Sequence, residues 1–388
     1  MRSPLRRAGA LGITVITLAA SVAPLAAQSS QFGVRGLGLP GRALSARSFA
    51  MGGAFGLFDT ESAMNPAALA NLPVLTASFT GAQNWRTSEN PSGEASAKDN
   101  RFPQIFVAGP VGRSRRFGMG LSVGAYTDRS FALASSDTIS IGGSPISVND
   151  TLFSRGGLSD IRVGFGARLH DKLFVGIGVH GITGSIKLES RRTFGDSSFA
   201  QSIQRTDVTF GGFGVSVGVI AEVVPGLAIA GTARTDEKVR LDRDSTRIGT
   251  TDLPTTLSAG AMWTVNRRLT VLGQSTWRSW SVANEDIRDQ GGLGALNTYE
   301  VSGGLEFLTS RSRPGHRPLR AGFRYGTLPF PVTSGDRPTE FGLSVGSGLR
   351  FRGDRGGVDV SLERIRRSQG SAFTERATIL SVSVTIRP

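Results

Sequence analysis

In the stretch Leu173-Phe174-Val175-Gly176-Ile177-Gly178-Val179-His180, large apolar side chains occupy every second position. Leu173, Val175, Ile177 and Val179 share one face, and Phe174, Gly176, Gly178 and His180 share the other. A period of two is the geometry of a strand with one apolar side. The same reading holds outward from it in both directions. Phe213, Val215, Val217 and Val219 alternate with Gly212, Gly214, Ser216 and Gly218. Ile161, Val163, Phe165, Ala167 and Leu169 alternate with Arg162, Gly164, Gly166 and Arg168, and Phe341, Leu343 and Val345 with Gly342, Ser344 and Gly346. A soluble sheet carries Lys, Glu and Thr on its wet face, not repeated glycine. A transmembrane barrel puts the apolar face against lipid and tolerates small or charged residues inside. The pattern therefore predicts an all-β chain, a transmembrane antiparallel β-barrel of about fourteen strands.

The predicted strands begin near residue 74 and end near 387. Tight connections recur at residues 112–115, 170–171, 224–226, 266–267 and 352–356. Long ones fall at 86–103, 128–157, 188–205, 241–251, 283–296, 329–337 and 368–374. Short turns on one side and long loops on the other are the asymmetry of outer-membrane barrels, with the short side periplasmic. An even strand number then predicts both termini on that side. Trp85, Tyr126, Trp277, Trp280, Tyr299 and Tyr325 fall near the long-loop ends, and Phe117, Phe174, Trp263, Phe307 and Phe351 near the short-turn ends. These are read as two interfacial belts.

Composition narrows the chemistry. The chain has 388 residues, no Cys and three His, His170, His180 and His316. Disulfides, thiolate metal sites and Cys nucleophiles are excluded, and a His-built metal centre has few donors to draw on. The formal charge of +14 is carried almost wholly by Arg, since Lys occurs only at Lys98, Lys172, Lys187 and Lys238. These arginines are scattered, without a basic helix or aromatic stripe, so no nucleic-acid partner is predicted. Neither a metal nor a cofactor is expected.

Export is legible at the N-terminus. Arg2, Arg6 and Arg7 precede an apolar run from Ala8 to Val22, and small residues lead to a cleavage site after Ala27. The expected organisation is a signal peptide over 1–27, a plug or hatch over 28–72 and the barrel over 73–388, in the bacterial outer membrane.

The predicted plug does not alternate. It contains GRALSARSFAMGGAFGLFDTESAMNPAALANLP, from Gly41 to Pro73. Asn65-Pro66 reads as a helix N-cap with proline at the first helical position. Ser45 to Ala50 reads as a second short helix stopped by Gly52-Gly53. Helical pieces cannot join a strand ladder, and the lumen of a wide barrel is the place for them.

Here the chain resembles a known family. Ala46-Arg47-Ser48, Met51-Gly52-Gly53-Ala54-Phe55 and Asn65-Pro66-Ala67, followed by barrel strands, are similar to the FadL-type long-chain fatty-acid transporters of the outer membrane. The resemblance implies a fourteen-stranded barrel with an N-terminal plug. It also implies passive uptake of hydrophobic molecules such as long-chain fatty acids or aromatic hydrocarbons. The residues it assigns to plug and ligand gating are Asn65, Pro66, Ala67, Gly52 and Gly53. The implied partners are a hydrophobic small molecule and outer-membrane lipid. A related barrel group with a similar run serves protein secretion, so the alternative is a docking or anchoring barrel that transports nothing and binds a secretion partner protein.

An enzymatic reading makes His180 a general base and Ser216 its nucleophile. No strained nucleophile motif accompanies them, and the chain is read as a non-enzyme. Asp59 and Glu61 are explained by the dipole of the following helix. Arg162, Arg168, Arg324 and Arg350 are expected to face inward and pair with Glu300 and Glu306. Gly109-Pro110 is read as a candidate break in the wall, a lateral exit into the membrane.

Overall fold

The computed structural model describes residues 30–62, 64–91, 93–289, 291–310, 317–351 and 353–388. The expected signal peptide lies outside the described residues. From Thr76 onward the alternation becomes a ladder. Seven strands, β1 (Thr76–Asn90), β2 (Gly93–Val111), β3 (Phe117–Ala125), β4 (Ser144–His170), β5 (Leu173–Phe194), β6 (Ser202–Val224) and β7 (Leu227–Asp236), pair antiparallel in sequence order. They continue into β8 (Thr256–Thr264), β9 (Leu269–Arg278), β10 (Thr298–Phe307), β11 (Leu319–Thr327), β12 (Thr339–Phe351), β13 (Gly356–Gln369) and β14 (Phe373–Ile386). β14 closes on β1 from Ala77↔Ile386 to Glu89↔Thr374. The result is a closed fourteen-stranded antiparallel barrel.

The outer face is the apolar one. Ile177 and Val217 are 58% and 53% exposed, and Phe341, Leu343 and Val345 behave alike. In water so much exposed branched surface would aggregate; against hydrocarbon it is the stable arrangement, because the membrane-spanning strands pair their backbone groups in the ladder. The fold is that of an outer-membrane barrel. Inward positions carry small or buried side chains for the most part, such as His180 at 1% and Arg162 at 5% exposure.

The predicted long loops are largely more strand. Residues 86–103 form a continuous hairpin closed at Asn90↔Gly93. Phe131–Ile141 pairs with the first half of β4, and Val239–Arg243 with Thr246–Thr251. Apolar residues in them, such as Phe131, Ile146, Val148, Val239 and Leu241, are buried rather than outward, so no lipid-facing pattern announced them. Residues 283–296 contain the helix α2 (Asn284–Asp289), numbered after α1 (Ala46–Ala50). The belts are borne out at Trp85, Tyr299, Tyr325, Phe117, Trp263, Phe307 and Phe351, all exposed. Phe174 and Trp280 are instead buried, Trp280 edge-to-face with Phe330 at 5.2 Å, and Tyr126 turns in to donate to Asp236 at 3.0 Å. They face inward because their parity in the strand, or the loop that carries them, points there.

The chain ahead of the wall lies against its inward face. The wall's own ends, Thr76 and Ile386, share the short-turn end as expected, but Ser30 sits at the opposite end, donating to Glu375 at 2.9 Å. From there the segment descends, Leu39–Pro40 pairing with Thr127–Asp128. Ser45 caps α1, accepting from the Ser48 N–H. Asn65 caps a 3₁₀ turn over Pro66–Asn71, its side chain accepting from the Ala67 N–H at 3.0 Å.

Candidate functional site

The interior is built differently on its two sides. Along β3 to β6 the wall is glycine, and the segment lies in direct backbone contact with it. A Cβ at Gly118 would overlap the Leu69 carbonyl, one at Gly176 the Pro66–Ala67 peptide, and one at Gly218 the Asn65 side-chain oxygen. These inward glycines make room rather than merely permit bending. Asn65 also donates to the Leu57 carbonyl at 2.9 Å, tying the turn to the chain before it. Gly52 has φ +67° and no space for a side chain against the Phe323 backbone, and its N–H donates to Ser344 at 2.9 Å. Glycine is required here by conformation and by contact.

Along β10 to β14 the contacts are ionic. Arg47 of α1 meets Glu306 at 2.7 Å, and Glu306 also takes Arg320 at 2.6 Å. Arg320 continues to Asp359 at 2.6 Å, which holds Arg350 at 2.7 Å. Nearer the loops, Arg42 of the segment meets Glu363 at 3.2 Å, while Glu340 bridges Arg324 and Arg367, at 2.5 Å from the latter. The expected partners were therefore only partly right. Glu306 is a hub, but for Arg47 and Arg320. Arg324 and Arg350 pair with Glu340, Glu363 and Asp359, which lie across the ladder from them. Arg168 lies over the Phe174 ring at 5.3 Å.

Asp59 and Glu61 do more than face a helix dipole. One oxygen of Asp59 accepts from the hydroxyls of Ser45, Ser48 and Ser62 at 2.5, 2.6 and 2.5 Å. Glu61 accepts from Thr385 at 2.7 Å and pairs with Arg387 at 2.6 Å, joining the segment to the last wall strand. Burial and the neighbouring Asp59 carboxylate raise the Glu61 carboxyl above its ordinary range, against the pull of Thr385 and Arg387.

Between segment and wall lies a cavity of about 750 Å³. Leu39, Phe49, Phe102, Leu158 and Leu328 supply apolar lining, and Arg42, Glu300, Arg324, Glu340, Glu363 and Arg367 a charged floor. A smaller chamber of about 140 Å³ shares Gly41, Arg42, Ala125, Arg278 and Glu300 with it. Its far wall holds Arg162, His180 and Ser216. His180 meets Ser216 at 2.8 Å and Asp160 at 3.0 Å, and Arg234 donates to Asp160 at 2.5 Å. This has the order of a charge relay. Yet Ser216 sits mid-strand between Gly178 and Arg234 in a regular ladder, and Asp160 is shared with Arg234. It is a packed hydrogen-bond network, not an exposed nucleophile on a strained turn. Asp160 and Arg234 were missed in the sequence because their pairing with His180 depends on strand register. Arg162, in the midst of this network, forms no ion pair among the described residues.

The wall is weakened beside the large cavity. The ladder runs unbroken through the suspected break, with Gly109↔Met119 and Pro110↔Gly118. The discontinuity lies nearer the loops: β2–β3 pairing stops at Gln104↔Gly124, and the chain after Ala125 turns inward to the segment. Among the described residues no ladder joins residues 93–103 of β2 to Phe131–Ile141. The cavity is lined from both sides of this gap, by Arg101–Pro103 and by Arg155–Leu158.

The family model BamG matches residues 9–247. No curated protein sequence matches the chain. Among solved structures, a FadL homologue of Pseudomonas aeruginosa superposes with a TM-score of 0.62 at 14% identity, over 90% of this chain and 99% of that one. The toluene transporter TodX of Pseudomonas putida gives 0.56 at 13% identity, over 90% and 99%. The monoaromatic hydrocarbon channel CymD gives 0.55 at 15% identity, over 89% and 98%. At these identities the likeness is one of fold, and the neighbours are channels rather than enzymes.

Proposed function

The chain belongs to the BamG family and has the fold of FadL-type channels, and we propose that it passes hydrophobic small molecules across the outer membrane, with residues 28–72 as its plug. The observation that carries this reading is the cavity between segment and wall, apolar with a charged floor, together with the adjoining smaller chamber, where Arg162 forms no ion pair among the described residues. Such a lining suits an amphiphile. An alkyl chain lies along Phe49, Phe102 and Leu328, and a carboxylate reaches Arg162 in the adjoining chamber, which forms no ion pair among the described residues. A long-chain fatty acid therefore fits better than an uncharged aromatic hydrocarbon. The gap beside Arg101–Pro103 is the exit in this reading, open sideways to the membrane. Asn65, Pro66 and Ala67, with Gly52 and Gly53, act as the gating elements because they hold the plug to the glycine wall and to Phe323.

The test is uptake into liposomes carrying wild type or Arg162→Met. A hydrogen bond to a charged group is worth about 1.5–3 kcal/mol, so oleate uptake at limiting concentration is expected to fall about tenfold or more. Among the described residues Arg162 has no ion-pair partner to be left orphaned, and folding is expected to be unaffected. Toluene uptake should change little. Oleate uptake equal to that of protein-free liposomes in the wild type would sink the transport reading, and a docking barrel for a secreted partner would then be the better account.

A further inference from the structure

The outward face carries a cationic region at the long-loop edge of its apolar band. Along β13 the outward positions run Val360, Leu362, Arg364, Arg366, passing from hydrocarbon-facing side chains to cations within two residues of each other. Their inward neighbours Glu363, Ile365 and Arg367 are buried, so the parity is unambiguous. Two rows cross the wall here. In one, Lys98, Trp85, Thr378, Arg364 and Leu343 stand opposite one another on successive strands. In the next, nearer the loops, stand Thr87, Arg376, Arg366, Phe341 and Tyr325.

Lys98, Arg364, Arg366 and Arg376 are all exposed, and none forms an ion pair among the described residues. Arg366 and Arg376 are direct cross-strand partners. Like charges in that position lie about 4.5–5.5 Å apart at Cβ and destabilise the pair. The outward carboxylates nearby, Glu89 and Glu94, face each other closer to the loops and do not bridge to the arginines. Arg364 is oriented by donating to Thr378 at 2.6 Å. The level is fixed by Trp85, Tyr325 and Phe341, the interfacial aromatics at the long-loop end. At the bilayer midplane each cation would cost about 2–4 kcal/mol, against about 0–1 near the interface. These side chains thus sit where lipid hydrocarbon meets headgroups, as a cation cluster without a counter-charge among the described residues.

We propose that this patch, Arg364, Arg366 and Arg376 with Lys98, binds the phosphate monoester of a glycolipid in the outer leaflet. The patch is continuous with the lipid-facing band, so its occupant is a lipid. Four unpaired cations suit a monoester, which carries about −1.5 to −2 charges near neutrality, better than a singly charged diester. Guanidinium groups take phosphate oxygens in bidentate fashion. Docking an anion between Arg366 and Arg376 also relieves their repulsion.

The full-length barrel in phosphatidylcholine nanodiscs tests this. Discs are doped with diphosphoryl lipid A, dephosphorylated lipid A or phosphatidylglycerol, and retention of the dopant on the protein is measured. Wild type should retain diphosphoryl lipid A about tenfold more tightly than the double variant Arg366→Gln/Arg376→Gln. The difference should shrink in high salt. Dephosphorylated lipid A and phosphatidylglycerol should bind both proteins weakly and alike. Heat-modifiable gel mobility checks that the variant is folded, and Arg366→Lys/Arg376→Lys should keep most of the binding. Equal retention of diphosphoryl lipid A by wild type and the Gln variant overturns the assignment. So does equal wild-type retention of the dephosphorylated lipid or of phosphatidylglycerol, since phosphate monoester recognition would then play no part.

Discussion

The glycine half of the interior and the ionic half hold the same segment by opposite means. Along β3 to β6 the Pro66–Asn71 turn touches bare backbone, where Gly118, Gly176 and Gly218 leave no slack. Along β10 to β14, Arg42 and Arg47 reach into a chain of carboxylates and arginines that continues through Glu306, Arg320 and Asp359. Contact through backbone is short-ranged and fails once a side chain intrudes. Ion pairs have longer reach, tolerate small shifts and can exchange partners. The cavity has its charged floor on the ionic side, where a ligand finds charge to work with. The segment is thus clamped where it cannot yield and tethered where it can.

Breaking the tether should have the largest effect. Glu306→Ala takes the carboxylate from Arg47 and leaves the almost fully buried Arg320 with Asp359 alone. Removing one partner of a buried ion pair costs about 3–5 kcal/mol, so unfolding in denaturant should shift clearly and residues 41–58 should become open to protease. An outer-face change separates wall assembly from segment docking. Val217→Arg puts a cation against hydrocarbon at about 2–4 kcal/mol and should lower the yield of heat-modifiable barrel. Its inward neighbours are untouched, so the segment in those barrels that do assemble should stay protected.

Filling the clamp comes next. Gly176→Val forces a side chain into the Pro66–Ala67 peptide, and overpacking of this kind costs about 1–3 kcal/mol. Protease should then cut near residues 65–72 while the wall remains closed. If Gly176→Val left that protection unchanged, the description of the glycine half as a clamp would be wrong. The smallest effect is expected for Asn65→Ala, which removes the cap of the turn and its bond to Leu57. A lost N-cap costs about 1 kcal/mol, enough to alter uptake through a plug and too little to disturb the barrel.

The two halves also differed in how well they could be read. All fourteen wall strands were visible, because lipid imposes the period of two on each of them. The clamp was half visible: Asn65 announced its cap and the inward glycines their spacing, but which glycine meets which part of the segment depends on the closed wall. The tether was least visible. Arg324 and Glu340, or Glu306 and Arg47, become neighbours only through register or through the path of the segment, and the sequence carries no local mark of either. The paired extensions beyond the membrane were missed for a related reason. Residues 131–157 and 188–205 carry no continuous apolar outward face, and their few buried apolar residues, such as Phe131, Ile146 and Val148, are too sparse to show a period.

The central claim is that an amphiphile occupies the space between segment and wall with its charged end at Arg162. The most direct measurement is a structure of the barrel in nanodiscs soaked with oleate. The account predicts elongated density from Phe102 and Leu328 past Phe49, ending within hydrogen-bond distance of Arg162, and absent in Arg162→Met. An empty cavity at saturating oleate, or oleate bound with its carboxylate turned away from Arg162, would contradict it.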